Sequence, residues 1–509
     1  MTTTKHGAKA YLDDSAATLL RAIAAALSVL LTIPVLVRSL PAASYSAWVL
    51  ALSIASYVGV AESGASTAIV RFSASEENEP SELLASALLT VTLLGLVPLS
   101  VIGILATTSN FFFSKAPPAL YPKIRLAILL CCINAFLTLW ASVISGYFTA
   151  RHRVKVSALV STVVLTLGSL AMVGSVLHQH SLVMLAAIFA AMGVFNVGGM
   201  LLAISPAISV SRVMPWRATR SMSKKIAVHC LATGWWNLAM LLISGLDLFL
   251  VSRIDFGAVG AYGIALKLLS LLFVVLSAGL TPVMAIAARA HARGDVAGVT
   301  KLFMQSTQAA NSGTAFVGGM LFAGAPLLVR AFAGESYVSK TTLILRVLIV
   351  ANLIRNTGAA LGVVMVATGE HRKAYLPPAA EALANFSFSI LLGSLYGAVG
   401  IAYGTVIGAL TTLTLYVAVI FPRFTAFRPN QGEFLKEGVL KPAAIFVPFA
   451  LAGAINIGHT VSISLATLGA AMVSVAVTTF TLKADEKQSL LRLARLVVGR
   501  VQRKGRRAV

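Results

Sequence analysis

The chain is written in long apolar runs separated by short polar breaks. A helix needs about 20 apolar residues to cross a hydrocarbon layer. Runs of that kind recur near 16–37, 45–70, 82–106, 124–149, 156–177, 182–204, 226–251, 261–288, 302–328, 342–367, 375–396, 401–421, 441–458 and 460–482. The pattern predicts an all-α integral membrane protein of about fourteen transmembrane helices, because only helices satisfy every backbone polar group within one apolar segment. The last pair is short, and the least distinct break is Gly397-Ala398-Val399-Gly400. Lys5, His6 and Lys9 are followed by Asp13 and Asp14 and then by a run of full length, so the first run is expected as a retained helix and not a cleaved leader.

Polar interruptions inside these runs carry the functional signal. Arg21, Glu62, Asp247, Lys267, Arg346, Arg355 and Glu381 all fall within expected spans. A charge in hydrocarbon costs about 3 kcal/mol or more, so such groups usually face a wet cavity between helices. That expectation points to a transporter, with a charged or phosphorylated cargo. The seventh span aligns Thr233, Asn237, Ser244 and Asp247 on one face, and the first aligns Thr18, Arg21, Ser28 and Thr32 in the same rhythm. The eighth brings Gly263, Lys267 and Ser270 to one side, and the tenth groups Asn352, Arg355 and Asn356. Ser and Thr also serve as packing groups between membrane helices, and Arg21, Asp247, Lys267 and Arg346 lie close enough to span ends to reach the interface. Arg355 is nearest the centre of its span. Arg21, Lys267, Arg355, Asn237 and Asn352 are therefore the candidate substrate-binding residues. Glu62, Asp247 and Glu381 are the candidate sites for H⁺ or Na⁺ coupling.

Composition narrows the class. Of 509 residues, 58% are apolar and 11% charged, against roughly 25% charged in soluble proteins, which leaves no room for a large water-exposed domain. The net charge of +23 would suit a nucleic-acid partner, but its placement argues against one. With both termini in the cytoplasm, most Lys and Arg fall in alternate, cytoplasmic connections, as the positive-inside bias requires. Residues 489–507 place Leu490, Leu493, Val497 and Val501 on one stripe among Arg492, Arg495, Arg500 and Arg503. This is the pattern of a basic helix lying on anionic lipid. Cys131, Cys132 and Cys230 sit in apolar runs as small buried hydrophobes, with no metal spacing. No Walker sequence is present, so direct ATP use is not expected, and no cofactor is implied.

Three weak matches recur at nearly one offset. Tyr147-Phe-Thr-Ala-Arg-His-Arg153 resembles Val366-Ala-Thr-Gly-Glu-His-Arg372, Thr67-Ala-Ile-Val-Arg71 resembles Ala285-Ile-Ala-Ala-Arg289, and Tyr45 pairs with Tyr262. They suggest two parallel copies of a six-helix bundle. The expected organisation is an N-lobe over 1–204, a cytoplasmic linker over 205–225, a C-lobe over 226–421, two further helices over 441–482, and a basic amphipathic tail over 483–509.

The opening segment, Leu40-Pro-Ala-Ala-Ser-Tyr45-Ser-Ala-Trp48 running to Glu62-Ser-Gly64-Ala-Ser-Thr-Ala-Ile-Val-Arg71, resembles the start of polysaccharide flippases of the Wzx type. These belong to the multidrug/oligosaccharidyl-lipid/polysaccharide exporter (MOP) superfamily. Gly257-Ala-Val-Gly260-Ala-Tyr262-Gly-Ile-Ala-Leu-Lys267, the Thr-Gly-Glu-His-Arg segment, Asn385 and Tyr396-Gly-Ala-Val-Gly-Ile-Ala-Tyr-Gly-Thr405 extend the likeness over about 10–420. The resemblance implies paired six-helix lobes working by alternating access. Its implied cargo is a polyprenyl-diphosphate-linked oligosaccharide, flipped to the outer leaflet of a bacterial cytoplasmic membrane for surface polysaccharide assembly. Arg and Lys suit a diphosphate. Glycosyltransferases and a polysaccharide polymerase would be the functional partners, beside anionic membrane lipids. A cation-coupled multidrug exporter of the same fold is the alternative. A membrane polymerase or ligase is a third reading, disfavoured because the large outer loop such enzymes use is missing.

Overall fold

A computed structural model describes residues 2–62, 64–73, 79–107, 115–151, 153–455 and 460–481. It is 91% helical, with no strand among the described residues. The principal helices are α1 (Thr2–Ser39), α2 (Ala42–Ser56), α3 (Ala65–Phe72), α4 (Pro80–Thr107), α5 (Tyr121–Ala150), α6 (Val154–Gln179), α7 (Leu182–Ile204) and α8 (Arg220–Ile254). They continue with α9 (Val259–Ala292), α10 (Val296–Ala323), α11 (Ala325–Ala333), α12 (Glu335–Asn356), α13 (Ala359–Thr368), α14 (Leu376–Leu415), α15 (Lys441–Ala454) and α16 (Thr460–Thr481). Ten segments among the described residues are long and apolar enough to cross a membrane, or eleven if the bent α10–α11 pair counts as one. One source of the difference from fourteen is physical: residues 376–423 form one apolar segment that is folded back at a break. The side chains in the middle of α8 and α9 lie outside the described residues.

Several expected spans are interrupted, not straight. The second ends its α-helix at Ser56, passes through a 3-10 turn over Tyr57–Glu62, and restarts at Ala65 after Gly64 in the left-handed region (φ 85°). The tenth stops at Asn356 and restarts at Ala359, with Thr357 N and Gly358 N donating to the carbonyls of Ile354 and Arg355 at 3.2 Å. The helices on either side of Gly324 meet at 65°. The expected break after residue 396 is present: Gly397 takes φ 61° and ψ −142°, a conformation open to glycine and strained for any side chain. Such interruptions survive in a membrane when local turns and neighbouring helices satisfy the freed backbone groups.

The chain forms two compact units. The first holds Met1–Lys267, Val329–Val347 and Pro378–Gly408. In it α5 packs on α7 and α4, α6 packs on α1, and α8 packs on α4. Small residues set the close approaches: a side chain on Gly146 would strike the backbone of Ser66, and one on Gly193 would strike Asn134. The turns at Tyr45 and Tyr262, both fully buried, meet each other, with Gly260 N donating to Ser46 Oγ at 3.1 Å. The second unit holds Leu268–Leu328, Leu348–Pro377 and Ala409–Val509. There α10 packs on α15, α15 packs on α16, and a buried aromatic cluster gathers Phe303, Phe421, Phe424, Phe427 and Phe434. The expected basic tail over 483–509 lies outside the described residues.

Candidate functional site

In the first unit the site begins with glycine. Beyond Gly397, α14 doubles back so that Gly400, Gly404 and Gly408 run along Gly393, Ser389 and Asn385. A side chain on Gly400 would overlap the Leu392 carbonyl, and one on Gly404 would come within 2.7 Å of Ser389 Cα. The spacing of four keeps the three glycines on one face, which lets the two halves touch backbone to backbone. The facing half carries Glu381, Asn385 and Ser389 at the same spacing, all nearly completely buried.

This close hairpin delivers Thr405 to Asp247 of α8. Asp247 is 3% exposed. Its Oδ2 accepts from Tyr262 Oη at 2.9 Å and from Thr405 Oγ1 at 3.1 Å. Ser389 Oγ lies 3.0 Å from Asn385 Oδ1 and 3.1 Å from the Ile401 carbonyl, and Thr405 Oγ1 lies 3.4 Å from that same carbonyl. Tyr57, at the break in the second span, sits within electrostatic reach of Asp247, and its buried hydroxyl has no hydrogen-bond partner. The result is a nearly all-oxygen cluster of a carboxylate, hydroxyls, an amide oxygen and a backbone carbonyl, the donor set that hard cations prefer. No group of three or more His, Cys, Asp or Glu suited to a metal occurs among the described residues.

The second unit holds a node of opposite character. Asn352 (3% exposed) and Asn356 (6% exposed) flank Arg355 at the end of α12. Arg355 Nη1 donates to Asn352 Oδ1 at 3.5 Å, while Asn352 Nδ2 donates to the Leu348 carbonyl at 2.9 Å. Asn356 Nδ2 is buried with no partner. The helix ends here, and α13 begins three residues on, with Gly358 lying against the Tyr416 ring. Hydrogen-bond donors dominate this node.

The other candidates are placed differently. Arg21 is exposed on α1, and Lys267 is exposed on α9. The backbone of Glu62 closes the 3-10 turn of the second span, and Asn237 lies within α8, but the side chains of both lie outside the described residues. The structure thus brings Asp247 together with Tyr262 and Thr405, and Arg355 with Asn352. Tyr262, Thr405 and Ser389 were missed as site residues. The signal was present in the Gly-x-x-x-Gly-x-x-x-Gly spacing at 400–408, which marks a helix meant to approach another closely.

One motif turns out to be architectural. Glu370 of the Thr-Gly-Glu-His-Arg segment is 6% exposed and accepts from Thr425 Oγ1 at 2.6 Å, Lys373 Nζ at 2.7 Å, Thr425 N at 3.0 Å and Ala426 N at 3.1 Å. It fastens two loops of the second unit together. Burial pushes its carboxyl up, but the hydrogen bonds from Lys373, Thr425 and Ala426 outweigh that and hold it below the ordinary glutamate range.

No protein-family model matches the chain, and no curated protein does. Solved structures do. The lipid II flippase MurJ in an inward closed conformation superposes with a TM-score of 0.69 at 14% identity, over 91% of this chain and 98% of that one. An inward-facing multidrug resistance MATE family transporter of the MOP superfamily gives 0.62 at 15% identity, over 84% and 96%. The fold is that of MOP-superfamily transporters. A Vibrio cholerae MATE transporter extends the likeness, with a TM-score of 0.52 at 14% identity over 84% of this chain and 99% of that one. These MOP-type neighbours are transporters and a flippase, not enzymes. At such identities the likeness carries the fold and leaves the cargo to be argued from the residues.

Proposed function

We propose that the protein is a flippase. It moves a polyprenyl-diphosphate-linked oligosaccharide from the inner to the outer leaflet of a bacterial cytoplasmic membrane, by alternating access, for surface polysaccharide assembly. The observation that carries this reading is the donor-rich node at Arg355 in the middle of an interrupted span. Diphosphate oxygens only accept hydrogen bonds. A guanidinium meets them with two parallel N–H groups and stays charged at any working pH. Asn356 Nδ2 adds a buried donor, and the first turn of α13 adds N–H groups of the kind that lack intrahelical acceptors and favour anions. A cationic cargo would be repelled by the Arg355 guanidinium.

The Asp247 cluster supplies the coupling site in this reading, with Glu381 further along the same hairpin face. A Na⁺ ion would replace the hydrogens of Tyr262 and Thr405 as the partner of the carboxylate, and a proton would neutralise it. Arg21, Lys267, Asn237 and Asn352 are proposed as further substrate-binding residues, and Glu62 as a further coupling group. Glycosyltransferases that build the lipid-linked cargo and a polymerase that consumes it are the proposed partners.

Arg355→Ala tests the reading. Surface glycan should disappear while the variant stays in the membrane at normal abundance. Normal glycan output from that variant would overturn it. The likeness to MATE transporters, together with the buried Asp247 carboxylate, supports a second reading, a cation-coupled multidrug exporter. Overexpression that raises tolerance to cationic dyes, with glycan output independent of the protein, would favour it.

A further inference from the structure

A cleft of about 870 Å³ opens in the second unit. One wall is the first three turns of α10, where Lys301, Gln305 and Gln308 share a face. The other wall is the chain over 428–437, which contributes Arg428, Glu433 and Glu437. That second wall is built, not draped. Arg428 N donates to Thr300 Oγ1 at 2.9 Å, Asn430 Oδ1 accepts from Glu433 N at 2.9 Å, and Phe434–Leu440 then winds as a π-helix. Wide turns of this kind cost regular hydrogen bonding and recur at functional sites. Here the turn places the Gly438 carbonyl on Asn311 Nδ2 at 2.7 Å and buries Glu437 beside Lys441, Oε2 to Nζ 2.5 Å.

The charges around this cleft divide into two kinds. Glu437 is neutralised by Lys441. Lys301, Arg428 and Glu433 are exposed and form no ion pair among the described residues. Two available cations and one available carboxylate therefore surround two amides, with Val296, Ala297 and Met304 as apolar footing. The cleft lies where α10 and α15 enter their apolar stretches, on the side that the charge distribution assigns to the cytoplasm. Phosphodiester headgroups are the chemistry a bilayer presents where spans meet its surface.

We propose that this cleft binds an ammonium-bearing phosphodiester, the headgroup of phosphatidylethanolamine. Lys301 and Arg428 take the phosphate. Glu433 takes the ammonium through N–H bonds, and Gln305 and Gln308 orient the link between them. A purely anionic headgroup would leave Glu433 repelled, and a choline headgroup has no N–H to give it.

The test uses the full chain in nanodiscs of matched acyl composition, with headgroups of ethanolamine, choline or glycerol, read by lipid retention in native mass spectrometry. Wild type should retain phosphatidylethanolamine about tenfold over the other two, the factor one charge-assisted hydrogen bond supplies. Glu433→Gln and the Lys301→Gln/Arg428→Gln pair should each remove that preference, and Glu433→Asp should restore part of it. Displacement by soluble glycerophosphoethanolamine would name the free phosphodiester as the ligand, and no displacement would name the lipid; both sustain the chemistry. Equal retention of the three lipids by wild type, or variants that keep the preference, would overturn it. Arg355→Ala should leave the preference unchanged, so loss of this inference and loss of the flippase reading are told apart.

Discussion

Gly404→Ala puts the hairpin argument at risk with a single methyl group. A Cβ at this position would stand 2.5 Å from Ser389 N and 2.7 Å from Ser389 Cα. Relaxed carbon contacts need about 3.5–4.0 Å, and backbone atoms cannot swing aside, so the two halves of α14 must separate by about 1 Å. Thr405 is the next residue, and its 3.1 Å hydrogen bond to Asp247 Oδ2 would stretch to about 4 Å, beyond bonding range. Overpacking of this kind costs about 1–3 kcal/mol, and a hydrogen bond to a charge contributes about 1.5–3 kcal/mol. The combined loss of about 2.5–6 kcal/mol is a large part of a typical folding stability. Gly313→Ala in α10 is the matched control. It meets nothing within 4 Å, and removing a helix-interior glycine there should stabilise by up to about 1 kcal/mol. Thermal unfolding of the purified protein followed by tryptophan fluorescence, with and without Na⁺, reads both. The two substitutions should move the midpoint in opposite directions, and only Gly404→Ala should weaken any response to Na⁺. Equal midpoints with intact cation response would refute the close-packed hairpin as the device that seats Thr405.

Three other outcomes follow from the same geometry. Asp247→Asn should abolish a Na⁺-dependent rise in melting temperature, and Thr405→Val should weaken the apparent Na⁺ affinity about tenfold, measured by titration of that rise. Arg355→Lys keeps the charge but loses the guanidinium fork, so glycan export should fall about tenfold, while Arg355→Ala should abolish it. Glu370→Gln should lower the melting temperature at pH 7. Because the folded carboxyl titrates below the ordinary value of 4.5, its stabilisation is complete above that pH and fades as pH falls through the depressed value; the gap between wild type and variant should therefore narrow as pH is lowered below 4.5.

Hydrophobic period and length were enough to show an all-helical chain with many apolar spans, because in a membrane every backbone group must be satisfied within the span. The Gly397 break was readable from Gly-Ala-Val-Gly for the same reason: an extended apolar run too long for one crossing must turn somewhere, and glycine turns most cheaply. The interruptions at Tyr57–Glu62 and at Thr357-Gly358 were not readable. Their residues are apolar enough to continue a helix, and the stops arise from packing and local turns that no window of sequence contains. Tyr262 was noticed as a repeat marker and not as a ligand, since its partner Asp247 is fifteen residues earlier on a different helix.

Buried charge proved to be two separate messages. A carboxylate in an apolar run is tolerated when hydroxyl donors are brought to it, and such donors are short side chains whose value depends on a neighbouring helix approaching closely. Asp247 meets that condition through Tyr262 and Thr405, and Glu370 meets it outside the spans through Lys373, Thr425 and Ala426. A long cation needs no such arrangement, because it can carry its charge outward on a flexible stem. Arg21 comes out exposed, while Arg355, furthest from either end of its span, is held against amides. An intramembrane acid therefore points toward the residues that must surround it, and an intramembrane base does so only when its stem is too short to reach the surface. For a cargo of phosphate charge, this singles out Arg355 as the cation whose removal should matter most.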